Sequence, residues 1–121
     1  MVESPNISVL VAAHNEERFI GRCLRSLLNQ TIPQTSYEVI VINDGSTDRT
    51  SYALELFSDE LAHSKAFSCI RVLNNKENLG LPASLNRGIR DARAPYIVRV
   101  DSDDYVNEGF LNFLHAYLDQ N

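Results

Sequence analysis

The stretch Tyr96–Tyr105, which reads Y-I-V-R-V-D-S-D-D-Y, joins a short apolar run to a cluster of acids. The run up to Val100 is largely apolar, which predicts a mostly buried β-strand. The acids that follow it are Asp101, Asp103 and Asp104. Carboxylates this close repel one another, and a bound divalent cation with a preference for oxygen ligands relieves that repulsion. At the carboxyl end of a parallel strand, such a site faces the crevice in which open α/β sheets bind ligands.

Two other interpretations of these acids compete with a metal site. Asp104 or Asn107 can cap the following helix, but a cap needs one side chain and not three. An EF-hand calcium loop begins with similar spacing, but Val106 stands where that loop needs glycine and Asn112 where it needs a bidentate glutamate. We therefore favour a metal or ligand role over simple capping.

Composition limits the class of protein. The 121-residue chain is 44% hydrophobic and 22% charged, which suits a small domain with a hydrophobic core. Its formal net charge of −5 argues against nucleic acid as a partner, and it requires a cation between the protein and any anionic ligand. Cys23 and Cys69 have neither zinc spacing nor a disulfide framework, so buried free thiols are expected. With no signal peptide and no membrane-length apolar run, a cytoplasmic location is the default expectation.

The chain alternates apolar strands with amphipathic helices. The predicted strands are Ile7–Ala13, Tyr37–Ile42, Phe67–Leu73 and Tyr96–Val100. An apolar stripe at helical spacing follows each of them, the last in Gly109–Leu118, and Asp59–Ala66 is interpreted as a polar loop. Alternation with short links predicts an α/β fold of three layers, α/β/α, with a mostly parallel sheet and one domain over residues 1–121.

The polar loops after strands one, two and four should meet at one edge of this sheet. They contain His14–Glu17, Asn43–Asp48 and Asp101–Asp104. Asp44 can accept hydrogen bonds from a base or a ribose hydroxyl, and Gly45 permits a tight turn or a close approach. Taken alone, however, Asn43–Asp48 is better explained as a turn with a helix cap.

His14 and its neighbours leave the kind of ligand open. A lone histidine near a strand end is more often a surface or capping residue, although its ring can stack on a base. Asn15 can cap the first helix. The pattern G-x-G-x-x-G does not follow the first strand and G-x-x-x-x-G-K-[ST] is absent, so dinucleotide-binding Rossmann and P-loop sites lack support.

Four sequence blocks together resemble the family 2 glycosyltransferases, which have the GT-A fold. They are V-A-A-H-N-E-E at 11–17, V-I-N-D-G-S-T-D at 41–48, E-N-L-G-L-P-A-S-L-N-R-G at 77–88 and V-D-S-D-D at 100–104. Each block is weak alone, but the ordered set is specific and spans nearly the whole chain. The resemblance implies a nucleotide-sugar-binding GT-A domain, truncated after the D-x-D motif and part of a longer catalytic domain.

The resemblance also implies residues that bind the nucleotide-sugar. Ala12, His14 and Glu16 lie in the family's first nucleotide-contacting turn, where members commonly have proline and an aromatic in place of Ala12 and His14. Asp44 matches the acid that holds the nucleobase. Asn78 belongs to the third block.

A metal site is implied by the D-x-D motif, Asp101-Ser102-Asp103. Asp103 is the expected ligand of Mn²⁺ or Mg²⁺, with Asp104 as a further metal-binding acid. Asp101 is expected to hold the ribose or a metal-bound water, with Ser102 beside it. One departure from the family is Leu85, which stands where members often have an arginine. Arg87 is the nearest candidate to take over the role of that arginine.

The implied reaction is inverting transfer of a sugar from a nucleoside diphosphate sugar, UDP by family preference, to a hydroxyl of a glycan or lipid-linked acceptor in polysaccharide synthesis. The general base would belong to an acceptor-binding half that this chain lacks, and membrane association through such regions stays open. The alternatives are a metal-dependent nucleotide-sugar-binding module without transfer activity and a nucleotidyltransferase. The latter usually has a glycine-rich basic loop where this chain has His14–Glu17.

Overall fold

The computed structural model of the chain describes residues 4–62 and 69–120. Strands and helices alternate throughout, as predicted. The elements are β1 Ile7–Ala13, α1 Ile20–Leu28, β2 Tyr37–Asp44, α2 Thr50–Ala62, β3 Ile70–Asn75, α3 Leu81–Asp91, β4 Tyr96–Arg99 and α4 Phe110–Asp119. A short 3₁₀ turn at Gln34–Ser36 leads into β2.

The four strands form one sheet in the order β3-β2-β1-β4, and every pair is parallel. Ile7 of β1 lies opposite Tyr37 on one side and Tyr96 on the other. Because all four strands run the same way, their carboxyl ends share one edge. The predicted parallel α/β architecture is confirmed.

Helices cover both faces of the sheet, and alternate strand residues supply its two apolar layers. One layer packs against α1, α2 and α4, and includes Val9, Val39, Leu24, Phe57 and Leu111. The other lies under α3, and includes Leu10, Ile40, Ile42 and Leu85. The strand-centred core positions the four loops at the carboxyl edge.

The prediction that β4 is mostly buried was wrong. Tyr96 is 45% exposed and Ile97 42% exposed. Among the strands that the structure describes, β4 pairs only with β1, so it lies at the edge of the sheet. Val100, directly after β4, is buried, and its N–H donates a hydrogen bond to the carbonyl of Leu10 at 3.0 Å.

Two predicted boundaries also need correction. Asp59–Ala66 was predicted as a loop, but α2 continues to Ala62, because this segment contains strong helix formers. Residues 63–66 lie outside the described residues. The third strand was predicted as Phe67–Leu73; residues 67–68 are not described, and pairing with β2 extends the strand to Asn75.

Cys23 and Cys69 are free and buried, as predicted. Burial is the main cause that raises the pKa of the Cys23 thiol to about 12, and the nearby charges of Asp104, Asp103 and Asp101 add to it.

Within residues 4–62 and 69–120, no helix has the length and apolar character needed to cross a membrane.

Candidate functional site

The loops after β1 and β2 are joined by the side chain of Asn15. Its Oδ1 accepts hydrogen bonds from the N–H groups of Thr47 (2.7 Å) and Asp48 (3.2 Å), and its own N–H donates to Ser46 Oγ at 3.1 Å. Asn15 has a positive φ of 55°, which asparagine tolerates. The predicted capping of α1 by Asn15 was wrong: the N-cap is Phe19, without a side-chain bond. Asn15 instead connects two loops.

The start of α2 continues this connection. Asp48 Oδ1 accepts from the N–H of Thr50 at 2.8 Å and from its hydroxyl at 2.6 Å, so Asp48 supplies the helix cap that was predicted within Asn43–Asp48. Thr50 Oγ1 in turn accepts from the N–H of Glu16 at 2.8 Å. The two loops therefore form a continuous hydrogen-bonded unit at the carboxyl edge.

Asp44, at the end of β2, is buried and connects that strand to the loop after β3. Its Oδ1 accepts from the N–H of Leu79 (2.8 Å) and from Asn75 Nδ2 (2.9 Å), and its Oδ2 accepts from the N–H of Gly80 (2.9 Å). Burial alone would raise the pKa of Asp44, but the bonds from Leu79, Asn75 and Gly80 bring it below its ordinary value. The ionised carboxylate thus fastens two loops together.

His14 lies between the same two loops. Its Nδ1 is 2.7 Å from the backbone carbonyl of Asp44, and its Nε2 is 3.2 Å from Asn78 Nδ2. Ala12, which lies beside Ile42 of the neighbouring strand β2, is half-buried and precedes His14 by two residues. Three predicted nucleotide-binding residues, His14, Asp44 and Asn78, therefore lie in one cluster.

Gly45 permits the close packing of this cluster. Its φ is +60°, and a Cβ placed on it would lie 2.3 Å from the backbone nitrogen of Asn78 and the carbonyl carbon of Glu77. The sequence predicted a tight turn or a close approach here. The neighbour that approaches is the backbone of the loop after β3.

The acids after β4 form a compact oxygen cluster. Asp101, Asp103 and Asp104 are exposed, and each offers a carboxylate oxygen within 4.8 Å of the others. Arg99 Nη2 lies 2.9 Å from Asp101 Oδ1, which offsets one of the three charges. Three convergent carboxylates are the donor set that Mg²⁺ and Mn²⁺ prefer, so these residues fit the expected metal.

Glu16 extends the acidic site towards β1. The hydroxyl of Ser102, which is buried, donates to the Glu16 carboxylate. Burial, followed by the negative charges of Asp103 and Asp48, raises the pKa of Glu16, and the bond from Ser102 lowers it in part. The structure thus brings the first loop and the D-x-D motif to one place.

Sequence reasoning missed Arg22, on the exposed side of α1. Its guanidinium lies 4.6 Å from the centroid of the Tyr105 ring and 5.5 Å from that of Phe19, and it donates to the carbonyl of Asp103 at 3.4 Å. Such cation–π contacts leave no sequence motif. The four-residue spacing of Arg22 and Ser26, which places them on one face of the predicted helix, was the available signal.

Arg87 is engaged within the protein. Its Nη1 donates to the carbonyl of Asn74 and to Oδ1 of Asn75, both at 2.7 Å. Asn75 also contacts Asp44 and Ser84 through its amide nitrogen. Arg87 therefore orients the amide that holds Asp44.

Fold and site together define a parallel α/β domain of the GT-A glycosyltransferase type, with the acidic cluster and the cluster of His14, Asp44 and Asn78 both at the carboxyl edge. The family described as "Glycosyl transferase family 2" matches residues 8–121, and the chain belongs to this family.

Relatives support the same assignment over part of their length. A protein of Haemophilus influenzae described as "Uncharacterized glycosyltransferase" is 38% identical over 121 residues, which are 100% of this chain and 35% of that protein. The Staphylococcus aureus poly(ribitol-phosphate) beta-N-acetylglucosaminyltransferase TarS is 33% identical over 114 residues, 93% of this chain and 19% of TarS. The chain spans about a third or less of these relatives.

Solved structures have the same fold. S. aureus TarS 1-349 in complex with UDP-GlcNAc superposes with a TM-score of 0.82 at 33% identity, covering 95% of this chain and 31% of that one. The mannosyltransferase PcManGT of Pyrobaculum calidifontis, in complex with GDP-Man and Mn²⁺, gives a TM-score of 0.74 at 26% identity, covering 84% and 28%. The predicted family and fold are confirmed.

Proposed function

We propose that this chain binds a nucleoside diphosphate sugar as the donor-binding part of an inverting glycosyltransferase. The acceptor is a hydroxyl of a glycan or lipid-linked chain in polysaccharide synthesis. The observation that carries the proposal is the convergence of Asp101, Asp103 and Asp104 beside Glu16, in a member of glycosyl transferase family 2. Residues 1–121 then form a single donor-binding domain of a longer catalytic domain.

The two halves of the site have separate roles in this proposal. The cluster of His14, Asp44 and Asn78 binds the nucleobase, with Ala12 in the same turn. His14 offers an exposed ring for stacking, and Asp44 is ionised, which suits a base N–H. Glu16 connects this half to the acids after β4 through Ser102.

The diphosphate lies at the acidic half. Asp103 and Asp104 hold a divalent metal, and Asp101, which Arg99 orients, holds the ribose with Ser102 nearby. When bound, Mg²⁺ or Mn²⁺ supplies positive charge that offsets the charge developing on the leaving diphosphate. Without that cation, an exposed set of three carboxylates repels the diphosphate, so donor binding requires the metal.

UDP is the proposed nucleotide. The neighbour that carries UDP-GlcNAc has the higher identity and TM-score, 33% and 0.82, against 26% and 0.74 for the neighbour that carries GDP-Man. The metal proposal is supported by the second neighbour, which holds Mn²⁺ together with its GDP-Man.

Calorimetric titration of the chain with UDP, with and without Mn²⁺, tests donor binding. We expect that UDP binding requires Mn²⁺ and that it weakens by about tenfold or more in Asp103→Asn. Loss of a residue that supports a metal ligand already lowers metal affinity by about this factor. The matched control is Glu55→Gln, which removes an exposed carboxylate on α2. Equal UDP affinity in wild type and Asp103→Asn would refute the metal assignment, and preference for GDP would refute the choice of nucleotide.

A second candidate is a nucleotide-sugar-binding module that transfers nothing by itself. It is favoured by the coverage of 35% or less of the two relatives, and by the lack of an assigned general base among the described residues. Release of UDP from UDP-GlcNAc by attack of water, in the presence of Mn²⁺, tests whether the chain itself cleaves the donor. Release of UDP that depends on Asp103 excludes a module that only binds, whereas binding without release is expected both of the module and of a donor-binding part that lacks its general base.

A further inference from the structure

Helix α1, together with Gln30 beyond its end, contacts several points along the loop that carries the acids, which we name the acidic loop (residues 100–109). Ser26 Oγ accepts a hydrogen bond from the N–H of Val106 at 3.1 Å, while it donates to the carbonyl of Cys23 at 2.7 Å. The second bond directs the hydroxyl proton away from Val106. Ser26 therefore presents a lone pair to the loop.

Gln30, two residues after the end of α1, holds the far end of the same loop. Its Nε2 donates to the carbonyls of Asn107 and Ser26, both at 2.9 Å, and its Oε1 accepts from the N–H of Leu111 at 2.9 Å. The first turn of α4 has N–H groups without partners inside the helix, and its N-cap Gly109 offers no side-chain bond. Gln30 thus acts as a cap for α4 from another part of the chain.

The near end of the acidic loop is held by Arg22 and Cys23. Arg22 donates to the carbonyl of Asp103 and stacks on Tyr105, and Cys23 Sγ lies 3.6 Å from the carbonyl of Asp101. Arg22 and Ser26 are four residues apart, which places them on one side of α1, and Gln30 follows the end of the helix. Residues of α1 and Gln30 beyond it therefore contact the backbone from Asp101, the first acid of the loop, to the start of α4.

We propose that Arg22, Ser26 and Gln30 are positioning residues that keep the carboxylates of the acidic loop convergent for the metal and diphosphate. Three carboxylates within 4.8 Å repel one another, and an irregular loop opens unless its backbone is held. The loop's own support includes the bond from the N–H of Asp104 to the carbonyl of Asp101, at 3.0 Å. The contacts from α1 offset the repulsion before ligand arrives, which is preorganisation. The identity of the ligand rests on the proposed function, whereas the contacts to the acidic loop do not depend on it.

Four variants of the 121-residue chain test the proposal. Ser26→Ala removes the acceptor for Val106, and Arg22→Met removes the guanidinium but keeps an apolar stem. Gln30→Leu removes both bonds to the loop and α4, whereas Gln30→Glu keeps an acceptor for Leu111 and loses the donor to Asn107. The matched control for Arg22→Met is Arg25→Met, because the Arg25 guanidinium lies against Gly21 on the same helix.

Two measurements are made on each variant: amide hydrogen exchange by NMR, and binding of Mn²⁺ alone by EPR. We expect faster exchange at Val106 in Ser26→Ala, and at Leu111 in Gln30→Leu but not in Gln30→Glu. Mn²⁺ affinity should fall about threefold to tenfold for each bond lost and stay unchanged in Arg25→Met. Unchanged exchange at Val39, a core amide of β2, shows that the variants fold.

The outcomes separate this inference from the proposed function. Unchanged exchange at Val106 and Leu111, or faster exchange with wild-type Mn²⁺ affinity, overturns the positioning role and leaves the metal site intact. If wild type binds no Mn²⁺ at millimolar concentration, the metal of the proposed function fails. Hydrogen exchange then still decides whether α1 holds the loop.

Discussion

The imidazole of His14 donates a hydrogen bond from Nδ1 to the backbone carbonyl of Asp44 across 2.7 Å. A carbonyl only accepts, so the proton must be on Nδ1. The other nitrogen, Nε2, faces the amide nitrogen of Asn78 at 3.2 Å and must accept. Asn78 keeps this orientation because its Oδ1 accepts from the N–H of Gly80 at 3.0 Å. The surroundings therefore select one neutral tautomer of a ring that we propose stacks on the base.

We predict that neutral His14 is the Nδ1–H tautomer, because both of its partners require it. Long-range nitrogen–proton NMR of the ring measures the tautomer directly. Asn78→Ala removes the donor to Nε2, but the Nδ1–H tautomer should persist, because the carbonyl of Asp44 still requires the proton on Nδ1. Detection of the Nε2–H form in the wild-type chain would contradict the hydrogen-bond pattern between the two loops.

Gly45→Ala is predicted to destabilise the chain by about 2 kcal/mol or more, because a side chain at positive φ is strained and here also meets backbone. Its Cβ would lie 2.3 Å from Asn78 N. Urea unfolding measures the change in the free energy of unfolding. The control is Gly109→Ala, where φ is −95° and the nearest heavy atom to a new Cβ is Asn107 Oδ1 at 3.6 Å. Equal stability of the two variants would show that the loop after β3 moves away from Gly45 readily.

Glu38 should make stability depend on acid pH. It is buried in β2 at the amino end of the sheet, and accepts bonds from Ser8 Oγ (2.5 Å), the N–H of Arg93 (2.7 Å) and the guanidinium of Arg71. Burial alone raises the pKa of Glu38, but the bonds from Ser8, Arg93 and Arg71 hold it below its ordinary value. A carboxyl with a lower pKa in the folded state stabilises above its unfolded pKa, and this contribution is lost as pH falls through the folded pKa.

Glu38→Gln is therefore expected to lower the free energy of unfolding at pH 7 by about 2 kcal/mol, since it weakens the charge-assisted bonds at this position while Arg71 keeps its ion pair with Asp91. Below the ordinary pKa of glutamate, the difference from wild type should shrink. Urea unfolding at a series of pH values measures both effects. Glu55→Gln, at an exposed position, controls for charge alone. A pH-independent difference would contradict the linkage.

The two cysteines should be unreactive in the folded chain. Burial is the main cause that raises the pKa of Cys23 to about 12 and that of Cys69 to about 11, and the thiolate is the reactive form. A colorimetric thiol reagent at pH 8 should therefore modify neither residue until denaturant is added. Rapid modification of one thiol in native buffer would show that its side chain opens to solvent.

Much of the architecture could be predicted from sequence because local patterns encode it. Apolar runs such as Ile7–Ala13 identified strands, and the acids after β4 identified the cluster that the structure assembles. The burial of β4 could not be predicted, because the exposure of an edge strand depends on which strands pair with it. An apolar residue such as Ile97 occurs both in edge strands and in buried strands, so its identity alone does not distinguish them.

The contacts that shape the site could not be predicted from the sequence either. Asp44 was predicted as a binding residue, but two of its partners are the backbone N–H groups of Leu79 and Gly80, which every sequence supplies. The bonds that Ser26 accepts from Val106 and that Gln30 accepts from Leu111 join residues 80 and 81 positions apart. Neither partner alone forms a recognisable motif.

The sequence by itself determined the order of strands and helices, the apolar layers on both sides of the sheet and the acids that follow β4. These follow from periodicity and side-chain chemistry, which act over a few residues. Only the tertiary structure decided that β4 is an edge strand, that His14 takes one tautomer and that α1 holds the acidic loop. These depend on hydrogen bonds between distant segments, whose geometry exists only once the parallel sheet has brought its carboxyl ends together.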